Sequence, residues 1–243
     1  MAEGRVAHVR SLVAGEPPDV PSQSPLVDWL RRLCRAAVRD LPVTGAGVSL
    51  TAEGGVPGVA AASDRTLAAL EELQVTVGEG PCIDAFSWHR PVLAADLTDG
   101  ARTRWPGYAP AALEHGVRAV FALPLQIGAA QLGVLTLYRD RPGALPADDL
   151  ARALTFAEVA VSTIVDGQAL VQPGESAGGL DAALEHRHEL YQAQGMVMVQ
   201  LGVDLGEAMV RLRAYAYRHD RPLGEVAGDV VDGGLRLAAD HGR

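Results

Sequence analysis

The feature that most constrains the fold is a change of hydrophobic periodicity along the chain. Up to about residue 167, alternating apolar residues that favour strands are mixed with helical repeats, whereas beyond residue 180 only helical repeats occur. The segment 172–179 (QPGESAGG) between them is rich in residues that break regular structure. The sequence therefore predicts an α+β protein with one sheet-containing domain and one helical domain.

The clearest strand pair lies at 119–127 and 131–138, separated by a loop that contains Gly128. Two strand patterns joined by so short a loop indicate an antiparallel hairpin. The remaining patterns predict strands at 45–51, 58–62 and 91–97, and helices at 25–41, after a cap at Ser63, at 106–115 and from Ala147. Residues 1–24 contain three prolines and are expected to form a flexible leader.

Three helices are predicted in the C-terminal part. The first spans 180–201, the second begins at Asp204, which is a suitable cap, and the third follows Pro222. In the third, apolar residues recur at i, i+3, i+4, i+7 and i+8, which favours a helix with one buried face. We expect residues 180–243 to form a three-helix domain.

Charge alone argues against nucleic-acid binding. The formal net charge is −9, the chain has no lysine, and residues 180–243 hold 7 arginines against 10 acidic residues. However, Arg211, Tyr215 and Arg218 are spaced to share one strip of the second helix. Arginine beside exposed aromatic rings suits phosphates and unpaired bases of RNA loops. A solvated helix face would show the same spacing, so the strip leaves both interpretations open.

Three segments in register decide between them: 191–198 (YQAQGMVM), 206–213 (GEAMVRLR) and 221–231 (RPLGEVAGDVV). Together they resemble the ANTAR family of RNA-binding antiterminators. The resemblance implies binding to paired RNA hairpins with unpaired purines in their loops, which prevents formation of a terminator. The residues expected to contact RNA are Arg187, Tyr191, Gln194, Gly195, Arg211, Arg213, Tyr215, Arg218 and Arg221.

Residues 25–167 resemble GAF domains through the segments 77–86 (VGEGPCIDAF), 121–125 (FALPL) and 132–138 (LGVLTLY). The resemblance implies an antiparallel sheet flanked by helices, with a pocket for an unknown small-molecule effector and no cofactor. The candidate pocket residues are Cys82, Phe86, Trp88, Trp105, Tyr108 and Phe121. Large rings more often fill a core, and this alternative stays open.

No catalytic or metal site is expected. The turn 78–80 lacks the Lys-Ser/Thr that ends a phosphate-binding P-loop, and His89 has no second ligand at metal spacing. Cys82 precedes a predicted short helix, where a thiolate is stabilised, so a redox role is weighed against a buried structural thiol.

Two other functions compete with the RNA-binding interpretation. A GAF-type methionine sulfoxide reductase needs an attacking and a resolving cysteine, and the chain has only Cys34 and Cys82. A helix-turn-helix DNA-binding regulator needs a recognition helix rich in Arg, Asn or Gln, whereas the third helix carries Glu225, Asp229 and Asp232.

The expected organisation is a leader (1–24), a GAF sensor domain (25–167), a linker (168–179) and an ANTAR domain (180–243). Without a signal peptide or an apolar run long enough to span a membrane, we expect a cytoplasmic protein with no membrane partner. Leu184, Tyr191 and Met198 have heptad spacing, which favours a homodimer but equally fits an internal core. The signal is expected to pass from the helix that begins at Ala147 through the linker.

Overall fold

The computed structural model describes residues 2–18, 24–51, 57–169 and 180–237. The helices are α1 (Ala2–Ala14), α2 (Pro25–Asp40), α3 (Arg65–Val77), α4 (Pro81–Trp88), α5 (Ala101–Arg104), α6 (Ala109–Glu114), α7 (Ala147–Ala169), α8 (Leu180–Leu201), α9 (Leu205–Arg218) and α10 (Leu223–Val231). The strands are β1 (Gly45–Leu50), β2 (Gly58–Ala62), β3 (Val92–Ala94), β4 (Ala119–Ile127) and β5 (Ala130–Arg139). We call residues 2–169 the sheet region and residues 180–237 the helical region.

The sheet has the order β2-β1-β5-β4-β3, and every neighbouring pair is antiparallel. The hairpin predicted from the sequence is the pair β4 and β5, in which Phe121 lies opposite Leu137 and Leu123 opposite Leu135. The predicted α+β class, with an antiparallel sheet flanked by helices and a separate helical region, is confirmed.

Successive side chains of the central strands point to opposite faces of the sheet, and helices cover both faces. On β4, Phe121 and Leu123 point to the layer formed by α1, α2 and α7, whereas Val120 and Ala122 point to the layer formed by α3 to α6. Strands covered on both faces contain few polar residues. The two layers therefore hold separate cores, and the side chains of one cannot line a cavity in the other.

Two glycines allow close contacts within this sheet. A Cβ atom at Gly133 would lie 2.0 Å from the carbonyl oxygen of Ser49 on the neighbouring strand. A Cβ atom at Gly47 would lie 2.9 Å from the side chain of Glu71. The absence of a side chain at these positions lets the strands and α3 approach each other, as glycine in a strand often does.

The N-terminal segment corrects the prediction of a flexible leader at 1–24. Residues 2–14 form α1, which packs against α2 and α7 and buries Val9 and Val13. Helical spacing of apolar residues in this segment outweighs the effect of the prolines that follow it. The Glu16 carboxylate, just after α1, forms ion pairs with Arg35 and Arg39 of α2, and these hold the end of α1 in place.

Several local predictions also differ from the structure. Asp64 rather than Ser63 caps α3, because its side chain accepts a hydrogen bond from the Leu67 amide at 3.0 Å. The strand predicted at 91–97 is only three residues long, since Asp96 accepts hydrogen bonds from Thr98 and turns the chain. The helix predicted at 106–115 is α6, and α5 precedes it without having been predicted.

The helical region has the three predicted helices around one core. Asp204 caps α9 by accepting from the Glu207 amide at 2.8 Å, as the sequence pattern predicted. Leu223, Val226, Ala227 and Val230 of α10 are buried against α8 and α9. The apolar faces of the three helices thus bury one another in a common core, which stabilises helices that would be marginal in isolation.

Candidate functional site

Helix α9 presents three faces, and each has a different environment. Ala208, Met209, Leu212 and Ala216 are buried in the core of the helical region. At a repeat of 3.6 residues per turn, the strip of Arg211, Tyr215 and Arg218 lies to one side of this core face, and Val210, Arg213, Ala214 and Tyr217 lie to the other. The α9 residues predicted to bind RNA therefore do not share one face of this helix.

The strip that we call the outer face consists of Arg211, Tyr215 and Arg218. Arg218 is exposed and forms no ion pair or hydrogen bond with any other residue that the structure describes. Arg211 donates to Glu207 one turn earlier at 2.8 Å, and the ring of Tyr215 lies 4.2 Å from that of His219. This face combines cationic groups with the half-buried ring of Tyr215, and its contact with RNA stays a prediction.

The opposite side of α9 faces the sheet region instead of open solvent. Val210, Arg213, Ala214 and Tyr217 line a cleft of about 470 Å³, whose other wall comes from the end of α3, Glu79 and the 106–107 turn. Val210 and Tyr217 remain 55% and 59% exposed, because the cleft is open. We call this side of α9 the docked face.

Arg213 is the central residue of the docked face. Its guanidinium lies over the turn that ends α3, so closely that a Cβ atom at Gly78 would stand 2.5 Å from Nη1. Gly78 also adopts a left-handed conformation, with φ of +74°, which favours glycine. Burial lowers the pKa of Arg213, and its Nε atom is buried without a hydrogen-bond partner among the described residues.

Arg221 is held by acidic neighbours. Its guanidinium donates to Asp229 at 2.8 Å and lies 3.7 Å from Glu225, both on α10. These contacts hold the chain between α9 and α10 in place, and they neutralise the charge that the sequence assigned to RNA. The contact with RNA predicted for Arg221 would have to replace these two ion pairs.

The candidates on α8 differ in their surroundings. Tyr191 is 37% exposed, whereas Gln194 donates to the Leu205 carbonyl at 2.7 Å and so links α8 to the first turn of α9. A Cβ atom at Gly195 would meet no atom within 4 Å, so packing among the described residues does not require glycine there. The side chains of Arg187, His186, His188 and Leu184 lie outside the described part.

The candidate pocket residues of the sheet region are separated by the sheet. Cys82, Trp105 and Tyr108 are fully buried in the layer of α3 to α6, and Phe86 is partly buried beside them. Phe121 lies on the opposite face among α2 and α7, which corrects its assignment to the same pocket. Trp88 is 45% exposed and stacks with the guanidinium groups of Arg90 and Arg104.

A buried polar cluster occupies the layer in which that pocket was expected, and sequence analysis missed its centre, Glu71. The Glu71 carboxyl accepts hydrogen bonds from Ser49 at 2.9 Å and Tyr138 at 2.6 Å. Gln74 donates to the Tyr138 hydroxyl and accepts from the Cys82 amide at 2.8 Å. We define the polar cluster as Ser49, Glu71, Gln74, Cys82, Tyr108, Thr136 and Tyr138, all of which are fully or almost fully buried.

Burial controls the protonation of this cluster. It raises the pKa of the Glu71 carboxyl, although the hydrogen bonds from Tyr138 and Ser49 act in the opposite direction. Tyr108 and Thr136 each bury a hydroxyl oxygen without a hydrogen-bond partner among the described residues. Such orphan groups in a core are uncommon and often mark a site for water or another small polar molecule.

Burial also decides the chemistry of the two cysteines. It raises the pKa of both the Cys34 and the Cys82 thiol, and the nearby Glu71 carboxyl adds to the rise. Cys82 lies in the first turn of α4, where a helix end would stabilise a thiolate, but desolvation is the larger effect.

We expect neither thiol to react in the folded protein. Iodoacetamide at pH 8, or mild peroxide, should leave both cysteines of the native protein unmodified, whereas both should be alkylated after unfolding in guanidinium chloride. Peptide mass spectrometry makes the measurement. A modified Cys82 in the native protein would contradict the burial argument and restore the redox interpretation.

Two family models match the chain. The model of the GAF domain matches residues 23–165, and the model of the ANTAR domain matches residues 179–231. The first match covers more than half of the chain. The chain belongs to the GAF domain family and carries an ANTAR domain. Both resemblances noted in the sequence are thereby confirmed. GAF domains are sensor domains and ANTAR domains are RNA-binding antiterminator domains, so this architecture is that of a regulator.

Solved structures show the same fold in the GAF part. A GAF domain of a phosphoenolpyruvate-protein phosphotransferase from Acinetobacter aligns with a TM-score of 0.52 and 12% identity, over 70% of this chain and 96% of that chain. The corresponding domain from Coxiella burnetii aligns with a TM-score of 0.50 and 16% identity, over 69% and 95%. A free methionine-R-sulfoxide reductase from Neisseria meningitidis aligns with a TM-score of 0.51 and 15% identity, over 70% and 92%.

These identities indicate a common fold and do not extend to activity. No curated protein sequence matches the chain at a significant level. Within the described residues, no helix combines the length and apolarity needed to cross a bilayer. The same residues contain no group of three or more His, Cys, Asp or Glu side chains arranged to hold a metal ion.

Proposed function

We propose that this GAF–ANTAR protein is a signal-responsive transcription antiterminator that binds paired hairpins in leader RNA and prevents formation of the terminator. The observation that carries the proposal is the outer face of α9 in an ANTAR domain, where Arg218 is exposed and Arg211 and Tyr215 are half-buried beside it. Arginine neutralises phosphates, and an aromatic ring stacks on an unpaired base. Tyr191 of α8 is a further exposed aromatic residue of the same domain.

The geometry of α10 favours RNA over duplex DNA. A recognition helix that enters the major groove presents side chains that contact bases and phosphates. Glu225 and Asp229 of α10 instead hold Arg221 by ion pairs, and Asp232 adds a further negative charge at the end of this helix. Acidic groups at this position repel the phosphates of a duplex.

We also propose that the GAF domain senses a small molecule and does not act as a reductase. Cys34 is buried in the layer of α2 and α7, and Cys82 in the layer of α3 to α6, so the sheet separates the two thiols. An attacking and a resolving thiol have to meet during thiol-dependent reduction. The layer that contains the polar cluster is where the effector is proposed to act.

Binding of two hairpins is proposed to need a homodimer. Leu184, Tyr191 and Met198 have the heptad spacing of a dimer interface. Met198, however, packs against the core of the helical region and so does not support a dimer. Exposed apolar side chains on α8, Met196 and Val199, provide an alternative surface for a second copy. The proposed site of action is the cytoplasm, where transcripts are made.

A titration with three nucleic acids tests the proposed function. The full chain is mixed with a synthetic RNA of two adjacent hairpins with purine-rich loops, with one of these hairpins alone, and with duplex DNA of equal length, at 0.15 M salt. We expect the affinity to be at least tenfold higher for the double hairpin than for either competitor, as specific binding exceeds non-specific binding. Equal affinity for duplex DNA would refute the proposal.

A further inference from the structure

Helix α3 of the GAF domain contacts two partners at once. Its inner side carries Glu71 and Gln74, which are buried in the polar cluster. Its outer side carries Val75, which is only 5% exposed and belongs to the core cluster of the ANTAR domain, together with Leu190 and Leu212. A residue of the sensor domain thus completes the core of the RNA-binding domain, and α3 also contacts α9 and α10.

The end of α3 covers part of α9. The guanidinium of Arg213 rests on the Gly78 turn, and Tyr217 lies across the cleft from Thr76 and Val77. Around the helix axis, Tyr217 lies roughly 100° and Arg213 roughly 140° from Arg218, so an RNA strand that wraps from the outer face onto the docked face meets Tyr217 first and Arg213 next. In the observed arrangement, the GAF domain occupies this position.

We infer that the α3–Gly78 edge of the GAF domain and the RNA compete for the docked face of α9, so that docking of the two domains inhibits RNA binding. This inference rests on the proposed function and names the regulation of the same site. Release of α9 from α3 would free Arg213 and Tyr217 and extend the cationic and aromatic surface beyond Arg211, Tyr215 and Arg218.

The contact between α3 and α9 is incompletely packed and leaves a charged group without a partner among the described residues. It leaves the Arg213 guanidinium half-buried, with no ion pair or hydrogen bond to any residue that the structure describes, although a buried charge is costly without a partner. Two adjoining cavities of about 470 and 710 Å³ lie between the domains and share Thr76, Pro106, Gly107 and Tyr217. An RNA phosphate would provide the missing acceptor, so RNA has a differential affinity for the released state.

The route from the sensor to this contact is a single helix. The inner residue Gln74 directly precedes Val75 on the outer side, and Glu71 lies about one turn before Val75 on the same helix. A change in the polar cluster that shifts or rotates α3 therefore changes the contact with α9 directly. This route differs from the path through α7 and the linker that the sequence suggested.

The variant Val75→Asp in the full chain tests the competition. A carboxylate at this position is buried when the domains are docked and exposed when they are released, so it favours the released state. We expect affinity for the double-hairpin RNA to rise about tenfold, within the usual range of coupling between two sites. Thr66→Asp is the matched control, because Thr66 is exposed in the first turn of the same helix, and its affinity should equal that of the wild type.

Hydrogen exchange provides a second measurement that does not depend on a substitution. In the wild-type chain, saturating double-hairpin RNA should increase the exchange of α3 amides, because RNA displaces α9 from α3. An unchanged exchange rate of α3, or equal affinity of Val75→Asp and the wild type, overturns the inference and leaves the proposed function standing. If neither the wild type nor Val75→Asp binds the RNA, the proposed function itself fails.

Discussion

Replacing Arg211 and Arg218 together by alanine is expected to weaken binding of the double-hairpin RNA by about 2–3 kcal/mol, or roughly 30- to 150-fold at 0.15 M salt. Both guanidinium groups stand on the outer face of α9, where each can form a charge-assisted hydrogen bond with a phosphate or stack on a base. The slope of log K against log salt should fall by about two, since two phosphate contacts are lost. Gel-shift or anisotropy titrations at several salt concentrations measure both quantities.

The two single variants should differ in a defined order. Arg211 is already paired with Glu207 at 2.8 Å, so binding RNA costs it this ion pair, whereas Arg218 has no such partner among the described residues. Exposed pairs of this kind contribute about 0.3–0.5 kcal/mol. We therefore expect Arg218→Ala to lose more affinity than Arg211→Ala.

A double variant elsewhere controls for net charge. Arg65 and Arg102 are exposed on the GAF domain, and replacing both by alanine changes the charge by the same amount. This control should retain wild-type affinity. Equal losses in the two double variants would mean that binding depends on total charge alone, and no loss in either would remove the outer face from the RNA-binding surface.

Local patterns predicted the parts of the fold that rest on local chemistry. The hairpin of β4 and β5 was predictable because its two strands are adjacent in sequence and share alternation. The core of α9 was predictable because Leu212 and Ala216 recur at helical spacing. The N-terminal helix was not predicted, because its stability comes from burial of Val9 and Val13 against α2 and α7, which are distant in sequence.

The candidate site was predicted only in part, for a related reason. The sequence places Arg211, Arg213 and Arg218 on one helix. It does not indicate that Arg213 contacts Gly78, which lies 135 positions earlier in the chain. Contacts between domains depend on the relative placement of two folded surfaces. One signal of the polar cluster was present in the sequence: Glu71 follows Leu67 by four positions on the apolar side of α3.

Glu71 should make the stability of the GAF domain depend on pH in a direction opposite to that of most carboxylates. Burial raises the pKa of its carboxyl above the ordinary value of 4.5, so the folded state favours the neutral acid. The unfolded chain releases this proton at a lower pH than the folded chain. The free energy of unfolding should therefore be greatest below the unfolded pKa and fall as pH rises through the folded pKa.

The other ionisable groups that face Glu71 do not titrate in that window. Cys82 on α4, Tyr108 beside α6 and Tyr138 on β5 all have their pKa raised by burial, so they stay neutral while Glu71 ionises. The hydroxyls of Ser49 and Thr136 complete the surroundings of the carboxyl and do not titrate. The difference between the wild type and a variant at position 71 thus isolates one proton.

The variant Glu71→Gln removes that proton while keeping the shape of the side chain. Its amide oxygen can still accept the hydrogen bond from Tyr138, and Ser49 can accept one from the amide nitrogen. We expect the variant to lose the decline in stability above pH 4.5 and to exceed the wild type in neutral buffer, by an amount that urea titrations at several pH values measure. Glu158→Gln on the exposed side of α7 controls for net charge. If the wild type and Glu71→Gln decline in parallel, the carboxyl ionises without cost, and the polar cluster cannot transmit a change of charge to α3.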